Sequence, residues 1–156
     1  MRMKLMIILV IGFVSLAVGG PFASSNDKGP KVRVLVLRYD NAKPVKGLWM
    51  LLEMLNEHGK SDGMPGLSVR TNGEGVAEFY LPNPVPERLA LAFNPNDFGS
   101  CSDYEFSTEQ VLKSGVVSEG SCSDPKLHYS EPPRPGVLVV FGRRVPWWEQ
   151  MWREIP

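Results

Sequence analysis

The chain reads as an all-β domain, and three alternations of apolar residues predict it. Val32, Val34 and Val36 recur at every second position in a β-branched run. Ala77, Phe79 and Leu81 do so after the turn Asn72-Gly73-Glu74-Gly75, and Val137, Val139 and Phe141 do so after Gly136. A period of two places one set of side chains on one side of a pleated ribbon, the mark of a strand covered on that face. No constellation of residues demands a particular chemistry.

With 156 residues, 43% of them hydrophobic, the chain has the material for one domain with a core. Its formal charge is zero and it has no basic run, which argues against a general nucleic-acid binder. Arg2 and Lys4 precede a nearly unbroken apolar run from Leu5 to Val18, with small residues at Gly19, Gly20 and Ala23. The run is shorter than the roughly 20 residues that span a bilayer, so a signal peptide over residues 1–23 is expected, with an uncleaved anchor as the alternative. Cleavage takes Arg2 and Lys4 from the 17 basic residues, leaving 15 against 17 acids.

Export gives the two cysteines a meaning. In an oxidising compartment only one pairing is open to them, and a Cys101–Cys122 disulfide is expected, with two free buried thiols as the alternative. It closes a loop of about twenty residues, for which chain entropy gives roughly 3 kcal/mol. Neither cysteine lies in a Cys-x-x-Cys pair or close in sequence to a histidine, which argues against a catalytic thiol.

Taken in order, residues 24–30 hold Ser24, Ser25, Asn26, Asp27, Gly29 and Pro30, a lead-in poor in apolar area. The first strand follows at Val32 to Leu37, and Asp40 to Pro44 supplies a turn. From Val45 to Leu55, Leu48, Met50, Leu52 and Met54 form one face with Trp49, Leu51 and Leu55 on the other. Leu48, Leu51, Leu52 and Leu55 also fit a helix, but Gly47 after Pro-Val favours a strand. Residues 56–66 form a polar loop. Ser68 to Pro82 reads as two strands joined by a tight turn at Asn72-Gly73, a hairpin that implies an antiparallel sheet. Pro82, Pro84 and Pro86 mark an extended connection, and Leu89, Leu91 and Phe93 mark another strand.

Residues 94–100 form a turn cluster. Ser107-Thr108-Glu109-Gln110 fits a capping box, predicting a short helix through Lys113 that ends at Gly115. Val116-Val117 suits a brief strand, residues 124–135 are proline-rich and irregular, and the last strand runs over residues 136–143. In the tail, residues 145–156, Pro146 suits a first helical turn, and Trp148, Met151, Trp152 and Ile155 fall on one face.

Pro44-Val45-Lys46-Gly47 before a hydrophobic strand, the stretch Thr71 to Pro82, and then Leu89, Leu91 and Phe93 resemble the bacterial carboxypeptidase regulatory-like domain. That family is similar to transthyretin and the Cna-B-type modules, and the resemblance implies a prealbumin-like, Ig-like Greek-key β-sandwich of about seven strands over residues 31–144. Its modules accompany metallocarboxypeptidases whose catalytic apparatus lies in another domain. Lys43 stands where the family usually has glycine, Pro86-Glu87-Arg88-Leu89 replaces a glycine-tyrosine opening, and the loop 56–66 is longer than the pattern.

Nothing here replaces a catalytic apparatus. A zinc hydrolase needs three protein ligands, but the chain has only His58 and His128, outside any metal-ligand motif. Glu53, Glu57, His58 and Asp62 read as solvated loop residues, and Asn94, Asn96, Asp97 and Asp103 as turn formers rather than a calcium loop. Lys31, Glu78 and Asn94 are the residue types of an intramolecular isopeptide crosslink, and surface charge explains them better. No Gly-x-Ser-x-Gly elbow occurs. The expected function is therefore a non-catalytic exported module, periplasmic or extracellular, without metal or cofactor, whose partner is a protein or saccharide of the cell envelope. Trp147, Trp148, Met151 and Trp152, flanked by Arg143, Arg144 and Arg153, are the candidate interaction residues. They form either an interfacial helix, with peripheral membrane contact, or a helix folded back onto the sandwich, and the folded-back arrangement is the expectation because exposed tryptophans are costly. A small hydrolase is the least supported reading.

Overall fold

The computed structural model describes residues 28–61, 63–100, 104–118 and 129–153, with Trp152 and Arg153 described by backbone alone. The expected signal peptide, both cysteines of the expected disulfide, Asp62, Asp103 and His128 lie outside the described residues.

Two sheets face each other. The first has the order β4 (Val76–Tyr80), β1 (Lys31–Arg38), β9 (Val137–Arg144) and β6 (Phe98–Ser100), with β8 (Val116–Ser118) also pairing with β9. β8 lies beside the start of β9, Val116 opposite Leu138, and β6 beside its end, Phe98 opposite Arg144. The second sheet has the order β3 (Leu67–Arg70), β2 (Trp49–Leu55), β5 (Arg88–Phe93) and β7 (Glu105–Ser107). β4 returns beside β1 after β2 and β3 have paired in the opposite sheet, a Greek-key path through a β-sandwich.

Alternation is converted into the core as expected in β1 and β4, while in β9 the parity of Leu138 and Val140, not that of Val137, Val139 and Phe141, faces the main core. Val32, Val34, Val36, Ala77, Phe79, Leu138 and Val140 of the first sheet meet Met50, Leu52, Met54, Leu89 and Leu91 of the second. Each fully buried side chain of this kind contributes about 1.5–3 kcal/mol of transfer free energy. In β9 the other parity is covered too: Val139 and Phe141 join Leu37 in a smaller cluster, with the Tyr129 ring edge-on to Phe141 at 6.1 Å between centroids. The helix α1 (Thr108–Lys113) starts where expected, Ser107 Oγ accepting from the Gln110 N–H. It ends at Gly115, whose φ of +76° suits glycine and whose place is closed to a side chain, since a Cβ there falls 2.1 Å from the Arg134 carbonyl oxygen.

Four expectations are corrected. The stretch Ser68 to Pro82 is not a hairpin: β3 pairs with β2 and β4 with β1, so the chain crosses between sheets there. Thr71 holds the first half against the lead-in to β2, its N–H donating to the Leu48 carbonyl while its own carbonyl accepts from the Gly47 N–H. Asn72 then turns the chain, its Oδ1 accepting from the N–H groups of Glu74 and Val76, and the Gly75 carbonyl accepts from Val36 to hand the chain to β1. Gly75 has φ +75°, and a Cβ there falls 2.8 Å from the Pro44 Cβ. Second, the sheets are not purely antiparallel, because β9 runs parallel to both β1 and β8. Third, the turn cluster 94–100 ends in the strand β6, and with β7 the described residues hold nine strands rather than about seven. Three-residue strands carry too little alternation to be seen without their partners. The fourth concerns the last helix, α2 (Trp147–Arg153), treated below.

Candidate functional site

The last turn of β9 and the helix α2 form the most unusual surface of the molecule. Val145 is buried and its N–H donates to the Asp97 carbonyl, which anchors the chain just before the helix. Arg143 and Glu149 then form a two-pronged ion pair, both N···O distances 2.7 Å, and the Gln150 amide donates to the Val145 carbonyl at 3.0 Å. The carboxylate raises the Arg143 pKa above its usual value, against a smaller opposing effect of burial.

Successive helical residues lie about 100° apart, so Trp147, Met151 and Trp148 occupy one side of α2 while Glu149 and Gln150 occupy the other. The polar side is the one turned to the sandwich. Trp147 is 69% exposed, Trp148 52% and Met151 54%. For these three residues the expected fold-back is corrected: the domain holds the helix by Glu149 and Gln150 and presents Trp147, Trp148 and Met151 outward. Trp152 and Ile155, expected on the apolar face, have no described side chains.

A second exposed tryptophan position lies at the same end. Trp49 opens β2 with its side chain on the outer parity, 54% exposed, and the Arg70 guanidinium stands 5.8 Å from its ring centre. Arg70 Nε donates to the Gly47 carbonyl at 2.8 Å, and Arg144 donates to the neighbouring Lys46 carbonyl. The successive carbonyls of Lys46 and Gly47 are thus bracketed by an arginine from each sheet, with Trp49 beyond one and α2 beyond the other. Trp49 carried a sequence signal, a large aromatic opposite in parity to Leu48 and Met50. Its pairing with Arg70 did not, because the two meet only through the β2–β3 register, Trp49 opposite Arg70.

The described residues also form two other concave places. One, of about 240 Å³, lies on the outer face of the first sheet beneath the segment 129–136. Its floor is Leu35, Val76, Val137 and Val139, and its rim carries Arg33, Glu78, Glu131 and Arg134 in ion pairs of 2.9 and 3.2 Å. Burial, then Glu131, pushes the Tyr129 phenol beside it upward, keeping it neutral at physiological pH. The other is an open hollow of about 710 Å³ between α1 and the connection before β5. In its lining Ser107 Oγ accepts from the Gln110 N–H, and Glu109 pairs with Lys113.

The remaining candidates behave as ordinary loop and surface residues. His58 lies 3.2 Å from Glu57 on the surface, and among the described residues no three metal-binding side chains converge. Asn94 Oδ1 accepts from the Asn96 N–H and its amide donates to Asp97, a turn satisfied by its own groups. Lys31 and Glu78 do meet, at 2.7 Å, but as an exposed ion pair.

No family model matches the chain, and no curated protein matches it. Among solved structures, it is similar to the full-length major pilin SpaD from Corynebacterium diphtheriae, at 14% identity and a TM-score of 0.43. The likeness covers 75% of this chain and 30% of the pilin, so the chain spans less than a third of that protein's length.

Proposed function

We propose that this chain is a non-catalytic, exported β-sandwich module of the cell envelope, of the carboxypeptidase regulatory-like kind, which works by docking through the apolar face of α2. Export rests on the apolar run Leu5 to Val18 behind Arg2 and Lys4. The family reading rests on the Pro44 to Gly47 lead-in to β2 and on the stretch Thr71 to Pro82. One observation carries the docking reading: the sandwich engages the polar side of α2 through Arg143 and the Val145 carbonyl, leaving Trp147, Trp148 and Met151 outward. A helix that served only to cap the domain would bury those three residues.

The test is the full chain with Trp147, Trp148 and Met151 all replaced by Gln. The expected result is an unchanged melting temperature together with release from the envelope fraction into the soluble one. Retention of this variant as strong as that of the unaltered chain, or an unaltered chain wholly soluble from the outset, overturns the reading.

A further inference from the structure

Resting on the docking reading, we infer that α2 and the Trp49–Arg70 corner form one surface whose partner is the interfacial zone of an anionic lipid bilayer. Two exposed aromatic stations lie at one end of the sandwich, joined through the successive carbonyls of Lys46 and Gly47, which accept from Arg144 and Arg70 respectively. Around these carbonyls stand three cations, Lys46, Arg70 and Arg144, and among the described residues none of them forms an ion pair. The other arginines with described side chains, Arg33, Arg38, Arg88, Arg134 and Arg143, all do. Unpaired cations interleaved with outward indoles match a headgroup layer, where tryptophan settles at the boundary and basic side chains meet anionic phosphate.

The same surface suits other occupants less well. Met151 sits between the indoles on the helix face, which breaks up the flat aromatic platform a sugar ring would stack on. The hollow beside Trp49, about 330 Å³ and lined by Leu51, Ser68 and Phe93, is shallow and has no charged lining group.

The experiment is flotation of the full chain with phosphatidylcholine vesicles, with and without phosphatidylglycerol, read together with tryptophan emission. Expected are co-flotation and a blue shift on the anionic vesicles, weakened by salt, and little on the neutral ones. Lys46→Gln and Arg70→Gln should each weaken anionic binding about fivefold. Trp49→Gln should also weaken it, with the melting temperature of each variant confirming that it is folded. Equal binding to neutral vesicles, or no effect of Lys46→Gln and Arg70→Gln in folded protein, overturns the inference. So does α2-dependent retention on delipidated envelope or on peptidoglycan without vesicle binding, an outcome that leaves the docking reading standing. Undiminished envelope retention of the variant with Trp147, Trp148 and Met151 replaced by Gln would instead strike the docking reading itself.

Discussion

Thr71 shows how one residue ties the end of β3 to the segment that leads into β2. It is 4% exposed, and its hydroxyl accepts from the Leu48 N–H at 2.9 Å while donating to the Val45 carbonyl at 2.7 Å. Its backbone N–H and carbonyl engage Leu48 and Gly47, so a single residue satisfies four groups of the incoming β2 segment. Valine has nearly the same shape but neither donor nor acceptor. Thr71→Val should therefore leave a buried N–H and a buried carbonyl unpaired and cost about 2–3 kcal/mol, read as a lower urea midpoint with an unchanged slope. A loss below about 0.5 kcal/mol would mean that water replaces the hydroxyl there.

Between elements, the pairing of β1 with β4 carries a pH signature. Glu78 stands opposite Arg33, and its carboxylate meets Lys31 Nζ at 2.7 Å and Arg33 Nε at 2.9 Å. The hydrogen bond from Lys31, then that from Arg33, hold the carboxyl below its usual 4.5, against an opposing effect of burial. Because the folded value is the lower one, the contribution is present above about pH 4.5 and disappears as pH falls through the folded value. All three groups are exposed, so Glu78→Gln should flatten the acid-side fall in melting temperature by only about 2 °C, with little change in slope at pH 6–8. The same reasoning sets a modest strength for the Arg143–Glu149 pair. It fixes which side of α2 faces inward more than it stabilises the fold.

At the scale of the whole molecule, the main core is built from the two sheets, their flanking segments and Val111 of α1, and among the described side chains it includes none from α2. A chain ending at Pro146 keeps Val145 and its bond to Asp97, and should unfold within about 0.5 kcal/mol of the full chain in denaturant titration. A larger loss would place α2 among the stabilising elements and leave its outward tryptophans without the role proposed for them.

Much of this architecture was legible in local pattern. The alternations of β1, β2, β4, β5 and β9, the capping box of α1 and the glycine that ends it are properties of a few neighbouring residues, so the sequence by itself determined that these longer segments are strands and that α1 is a helix. It also marked the aromatic tail as a candidate contact. The tertiary structure alone decided partners and facing: that β3 and β4 part company at Asn72, that β9 runs parallel to β1, that β6 and β7 form at all, and that α2 turns Trp147 and Trp148 outward. These outcomes depend on groups far apart in the chain, such as Arg144 reaching the Lys46 carbonyl. Hydrogen bonds and ion pairs of that kind exist only once the sheets have assembled, whereas periodicity and capping act within a turn or a strand.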